Sequence, residues 1–165
     1  MDWKRLLEHL LTPHRLGRRL FPATLGDDIG KAIALSEARH RGELRFVVEG
    51  PLDLSLLWRG VTARQRAVDL FSRLKVWDTE QNCGVLIYVQ LVDRKVEILA
   101  DRGIAARVPE ADWRAICAGM EEAFKHGDFR GGSLAALAKV SERLVAHFPS
   151  QGPRPNELPD RPVVM

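Results

Sequence analysis

Apolar residues recur at helical spacing in five segments of the chain and form strand-like runs in three others. The helical pattern is clearest from Trp113 to Phe124, where apolar residues fall every three or four positions. The strand pattern is strongest in the run VLIYV, which begins at Val85 and precedes the turn Asp93-Arg94. The predicted elements, in chain order, are helices at 3–11 and 24–38, a strand at 40–50, a helix at 62–74, strands at 85–92 and 95–99, and helices at 109–126 and 133–148.

The order of these elements predicts a mixed sheet. A helix connects the first two strands, so they should be parallel with a right-handed crossover. A hairpin with a weak turn signal at Asp93-Arg94 connects the second and third strands, so they should be antiparallel. Helices on both faces would complete the fold. We therefore predict an α/β protein, a three-layer α/β/α sandwich with a small mixed sheet made of a parallel β-α-β unit plus an antiparallel hairpin.

The 165 residues suit one main domain with two flanking segments. Residues 1–22 form an N-terminal basic amphipathic segment, and residues 23–149 form the α/β/α domain. Residues 150–165 contain four prolines and are predicted to be an extended or disordered tail.

The first twenty residues combine helical apolar spacing with five Lys/Arg against Asp2 and Glu8. Two arrangements fit this pattern: a terminal helix packed on the domain, or peripheral contact with an anionic membrane surface through residues 1–20. The short length favours packing on the domain.

Composition narrows the functional class. The net charge of +3 is mild, and we see no aromatic and basic stripe, so nucleic acid is not expected as a partner. Cys83 and Cys117 belong to no metal-binding motif, which fits a reducing compartment. The N-terminus lacks the pattern of an export signal, so we expect a cytoplasmic protein that is either soluble or membrane-peripheral.

Acidic residues gather at one edge of the predicted sheet, where the first two strands begin and the third ends. A hard cation such as calcium takes six to eight oxygen ligands, which carboxylates, amides and loop carbonyls supply. The alternative is that Asp78 and Asp101 cap turns while Arg41 and Arg102 neutralise the remaining charge. The candidate metal ligands are Glu43, Asp78, Glu80, Asn82 and Asp101.

The sequence from residue 62 to residue 149 resembles the TPM domain family. The resemblance is carried by the helix ARQRAVDLFSRL, the run GVLIYVQLVDRKVEILADRG, and the segment FKHGDFRGG before the last helix. It implies an α/β/α sandwich, divalent-metal binding, weak acid-phosphatase activity, and a role in the assembly or repair of membrane complexes. It also implies that Asp78, Glu80 and Asn82 lie in the family's acidic loop, and that Asp101, Arg102 and Gly103 form the family's turn after the third strand.

This chain departs from the family at two points. Cys83 stands where an Asn is common, and the export signal and membrane anchor of many members are not found in these residues. Two hypotheses follow. The first, which we favour, is an interaction module whose acidic rim binds a divalent cation and a protein partner, which would be membrane-associated. The second is a metal-assisted phosphomonoesterase with Asp78, Asp101 and Arg102 as candidate catalytic residues, although no nucleophile can be located in the sequence.

Overall fold

The computed structural model describes residues 2–153 and 155–165. Short connections separate most of the elements. The helices are α1 (Trp3–Leu11), α2 (Leu16–Leu20), α3 (Ala23–Glu37), α4 (Leu54–Trp58), α5 (Ala63–Arg73), α6 (Arg102–Ala105), α7 (Glu110–Lys125) and α8 (Phe129–His147). The strands are β1 (Glu43–Glu49), β2 (Gly84–Gln90), β3 (Lys95–Ala100) and β4 (Val163–Val164).

Over the described residues the strands form one mixed sheet in the order β3-β2-β1-β4. Strand β1 runs parallel to β2 with Glu43 opposite Gly84, and β2 pairs antiparallel with β3. The β2–β3 connection is the predicted hairpin, and α5 lies between β1 and β2 in the chain. The predicted α/β class and mixed sheet are confirmed.

Helices cover the two faces of the sheet in separate layers. On one face, residues of α3, α7 and α8 pack with Phe46 and Ile87 in the larger apolar core. On the other face, α5 and Leu158 pack against Val47 and Tyr88. Because both faces are covered, all seven residues of β1 are buried.

Helix α5 begins where its sequence predicts. The Thr62 hydroxyl accepts a hydrogen bond from the Gln65 backbone N–H at 3.2 Å, and the Gln65 side chain accepts one from the Thr62 backbone N–H at 2.9 Å. This reciprocal pair is a capping box, which satisfies backbone donors that the first helical turn leaves open. The cap fixes the start of the helix that leads to the acidic end of the sheet.

The tail, which was expected to be extended or disordered, reaches the second core at Leu158 and the sheet at Val163 and Val164. Val163 and Val164 pair with β1, and the Met165 backbone N–H donates to the Val48 carbonyl at 2.9 Å. Leu158 is buried among the residues of the second core. The proline count suggested disorder, but the apolar residues between the prolines fill an open strand edge and a core position.

The N-terminal helix is present as predicted, although few of its apolar residues pack on the domain. Helix α1 buries Leu6 and His9 and leaves most of its leucines in solvent. The short helix α2, which the sequence pattern did not predict, follows it. No helix in the described ranges is long and apolar enough to cross a membrane.

Candidate functional site

The loop between α5 and β2, which we call the acidic loop (residues 77–83), is tightly folded. The Asp78 backbone N–H donates to the Lys75 carbonyl at 2.9 Å, and the Asn82 N–H donates to the Thr79 carbonyl at 3.1 Å. Thr79 is buried, and its hydroxyl accepts a hydrogen bond from the Cys83 N–H at 3.2 Å. Asn82 has a positive φ of 52°, a conformation that Asn tolerates better than most residues. These bonds give the loop a defined shape even though several of its side chains are exposed.

The acidic loop is fastened to the turn that follows β3. The Asn82 carbonyl accepts the Gly103 N–H at 2.8 Å, and the Asn82 side-chain oxygen accepts the Arg102 Nε–H at 3.2 Å. A Cβ at position 103 would lie only 2.6 Å from the Asn82 carbonyl oxygen and 2.7 Å from that of Gln81. The close approach therefore requires glycine, and it places two loop carbonyl oxygens beside the start of α6.

Asp101 lies at the centre of this contact. Its backbone N–H donates to the Gly84 carbonyl at 2.8 Å, which ties it to the start of β2. One carboxylate oxygen, Oδ1, caps α6 by accepting the Arg102 N–H at 2.7 Å. The residue is 8% exposed, and its second oxygen, Oδ2, is buried without a hydrogen-bond partner among the described residues. A buried carboxylate oxygen in this state is costly unless a proton, a water molecule or a cation satisfies it.

The other predicted ligands are placed differently. Asp78 and Glu80 are exposed on the acidic loop, and the Glu80 N–H donates to the carboxylate of Glu157 at 3.1 Å. Glu43 is fully buried at the start of β1, where its carboxylate accepts the Leu158 N–H at 3.1 Å. Across the residues that the structure describes, no three His, Cys, Asp or Glu side chains form a ready-made metal cluster. The shared edge was predicted correctly, but the carboxylates are not assembled around one point.

The two arginines considered in the alternative arrangement bind amide oxygens at this edge. Arg102 binds Asn82, as described above, and the Arg41 Nη1 group donates to the Gln151 side chain at 3.0 Å. The Gln81 amide, with its oxygen turned towards Arg41, accepts a hydrogen bond from the same Nη1 at 2.8 Å. Of the alternative arrangement, the cap by Asp101 is present. Arg41 and Arg102 each donate a hydrogen bond to a side-chain amide oxygen.

The opposite end of the sheet holds a contrasting cluster, which we call the paired network. Arg66 on α5 bonds both oxygens of Glu49, at 2.7 Å from Nη2 and 3.0 Å from Nε, and Tyr88 donates its hydroxyl proton to Glu49 at 2.6 Å. Burial, reinforced by the charge of Glu49, raises the pKa of Tyr88 far above its ordinary value. The hydrogen bond to Glu49 likewise raises the pKa of Arg66.

A second part of the paired network lies in the β2–β3 turn. The Asp93 carboxylate receives two hydrogen bonds from Arg5, both at 2.8 Å, and lies 3.0 Å from the Nε2 atom of His9. Burial acts to raise the pKa of Asp93, but the hydrogen bonds from His9 and Arg5 outweigh it and leave the pKa well below its usual range. The carboxylates of the paired network, Glu49 and Asp93, therefore have hydrogen-bond partners within the protein.

Comparisons with known proteins identify the fold family. The model of the TPM domain family matches residues 19–143, more than half of the 165-residue chain. The chain belongs to the TPM domain family. Its structure is also similar to the NMR structure of the BA42 protein from the psychrophilic bacterium Bizionia argentinensis, with a TM-score of 0.74 and 29% identity, covering 86% of this chain and 92% of that one. A search of curated proteins finds no match.

In this TPM domain, sequence reasoning missed two contributors to the acidic edge. Glu157 lies in the proline-containing tail, and Gln81 is an uncharged member of the loop. The alternation of prolines with Leu158, Val163 and Val164 was the available signal that the tail returns to the sheet. No local sequence pattern indicated the contact between Gln81 and Arg41, because the two residues are forty positions apart in the chain.

Proposed function

We propose that this TPM domain is a binding module whose acidic loop takes up a divalent cation beside Asp101 and presents the loaded loop to a protein partner. The observation that carries the proposal is the buried Oδ2 atom of Asp101, which faces no donor among the described residues. A cation would satisfy that atom without displacing the capping bond that Oδ1 makes to Arg102.

The neighbouring groups suit calcium better than magnesium. Calcium accepts irregular sets of oxygen ligands, including backbone carbonyls, whereas magnesium demands near-ideal octahedral geometry. The carbonyls of Gln81 and Asn82 lie against the turn of Asp101, and the exposed carboxylates of Asp78 and Glu80 are attached to the same loop. Glu43 is left out of the proposed ligand set, because its carboxylate already holds the Leu158 backbone.

Calcium binding is tested by thermal unfolding and by amide chemical shifts during a titration. A ligand held at about one hundred times its Kd adds about 2.7 kcal/mol to the unfolding free energy. We expect calcium to raise Tm and to shift the amides of residues 78–84 and 101–103. The Asp101→Asn variant should lose both effects, since Asn keeps the cap but removes the charge.

A matched control and a second variant make the result decisive. Asp53→Asn removes an exposed carboxylate at the other end of the sheet and should leave the calcium response intact. Gly103→Ala should weaken the response by pushing away the Asn82 carbonyl, whereas Gly119→Ala, with nothing closer than 3.9 Å to its new methyl group, should not. An unchanged Tm at millimolar calcium, or an equal calcium response in Asp101→Asn, would refute the proposal. The proposed partner binding is tested by calcium-dependent retention of a protein on the immobilised chain, which should be absent for Asp101→Asn.

One observation favours metal-assisted phosphomonoester hydrolysis as a second candidate. The exposed guanidinium of Arg102 is held by Asn82 next to Asp101, so it would lie beside a phosphoryl group bound there. A cation at this position would supply Lewis-acid polarisation, and Arg102 would stabilise charge on the phosphoryl oxygens. Turnover of a phosphomonoester that disappears in an Asp78→Ala, Asp101→Ala double variant supports this candidate. Turnover that survives in that variant assigns the activity elsewhere.

A further inference from the structure

Helix α1 packs on the domain through Leu6, His9 and Arg5 and leaves most of its large apolar residues exposed. Leu6 and His9 are buried, whereas Trp3 is 67%, Leu7 56% and Leu11 74% exposed. These exposed residues are spaced four positions apart, and the exposed Leu10 lies on the same side, so they form one stripe along the helix. An ordinary surface helix packs its apolar stripe on the core. In α1 the stripe is presented to the surroundings.

Specific polar contacts hold α1 in this orientation. Arg5 donates to Asp93 and also to the Val61 carbonyl at 2.8 Å. The His9 ring contacts Asp93 through Nε2, and its Nδ1 accepts the Leu52 N–H at 2.9 Å. Rotating the helix to bury the apolar stripe would break these bonds and leave Asp93 unpaired, which is costly for a largely buried carboxylate.

The neighbouring helix α4 also exposes apolar side chains, and the charges exposed near the N-terminus are mostly basic. Helix α4, which packs on α1 through Leu57 and Leu6, exposes Leu54 and Trp58. Together we call Trp3, Leu7, Leu10, Leu11, Leu54 and Trp58 the outward apolar face. The exposed charges of residues 2–20 are four cations, at Lys4, Arg15, Arg18 and Arg19, against two carboxylates, at Asp2 and Glu8.

We propose that the outward apolar face docks on an anionic lipid surface. Interfacial helices combine Trp and Leu on one side with Lys and Arg beside them, and anionic headgroups attract the cations while the apolar side chains enter the boundary of the acyl region. The excess of exposed cations in residues 2–20 also argues for lipid over a second copy of the chain, because a twofold contact through this segment would bring like charges together.

The experiment is co-sedimentation of the full chain with vesicles of phosphatidylcholine alone or with about one third phosphatidylserine. The full chain should sediment with the anionic vesicles and much less with the neutral ones. Combining Trp3→Gln, Leu7→Gln and Leu11→Gln should lower the partition coefficient at least about tenfold, since three large apolar side chains no longer leave water. Combining Arg15→Gln, Arg18→Gln and Arg19→Gln should remove the preference for anionic vesicles.

A matched control separates this face from general surface hydrophobicity. Leu35 and Val68 are also exposed apolar residues, 72% and 52%, but belong to α3 and α5 and not to the basic segment of residues 1–22. The Leu35→Gln, Val68→Gln variant should bind anionic vesicles like the unaltered chain, and circular dichroism checks that every variant is folded. The proposal is overturned if the unaltered chain stays in the supernatant, or if the apolar variant binds equally well. It is also overturned if light scattering shows a dimer that the apolar variant converts to monomer, since a second copy would then cover the face.

Discussion

The two ends of the sheet use the same kinds of residue for opposite purposes. At the end occupied by the paired network, Glu49 and Asp93 each receive several hydrogen bonds from arginine, tyrosine or histidine. At the acidic end, Asp101 retains a buried oxygen without a partner among the described residues, and Asp78 and Glu80 are exposed. Removing one partner of a buried charge that is satisfied internally destabilises the fold, whereas a carboxylate without an internal partner is available to a ligand. Three substitutions test this contrast.

The largest effect should follow from Arg66→Ala. This change leaves the carboxylate of Glu49, whose side chain is 8% exposed, without its main cationic partner. Breaking a buried pair from one side costs about 3–5 kcal/mol of unfolding free energy. Urea denaturation of the variant and the unaltered chain measures this loss of unfolding free energy. Arg73→Ala is the control, because the Arg73 side chain is 70% exposed and its pair with Asp69 should contribute less than about 1 kcal/mol. Equal losses in the two variants would contradict the contrast.

A smaller and pH-dependent effect is expected for Asp93→Asn. The folded pKa of Asp93 is lowered, so its charge stabilises the fold above the unfolded pKa of about 3.9 and loses that contribution as pH falls towards the folded value. Hydrogen bonds to a charged group suggest a loss of about 2 kcal/mol near neutral pH. The difference between Asp93→Asn and the unaltered chain should therefore shrink below about pH 4. A constant difference across the pH range would mean that geometry, and not charge, accounts for the loss.

The smallest effect is expected for Asp101→Asn without added metal. Asparagine also caps helices well, and the change removes a carboxylate whose Oδ2 atom makes no bond to the described residues. The unfolding free energy, measured in the presence of a chelator, should change by less than about 0.5 kcal/mol. A loss comparable to that of Asp93→Asn would show that Asp101 is a structural carboxylate and would weaken the proposal of a cation site.

Local patterns predicted the architecture but not the contacts between distant segments. The Thr62–Gln65 capping box, the hairpin around Asp93, and the shared edge of Glu43, Asp78 and Asp101 follow from short-range rules of spacing and connection. The burial of Glu43 under Leu158 does not, because that contact joins residues 115 positions apart. Periodicity also located the apolar stripe of α1, but it could not tell that bonds to Asp93 turn the stripe outward.

Strand β4 has a consequence for how the molecule meets its neighbours. Its two residues pair with the edge of β1 that β2 leaves open. Backbone hydrogen bonds of Met165 with Val48 and Gly50 extend this pairing. Such an uncovered side is a template on which another polypeptide can add a strand. Because β4 pairs with β1 at only two positions, few contacts must break to displace it. Protection of this edge of β1 against strand addition therefore depends on a few residues near Met165, and displacing them would expose the edge to a strand from another chain.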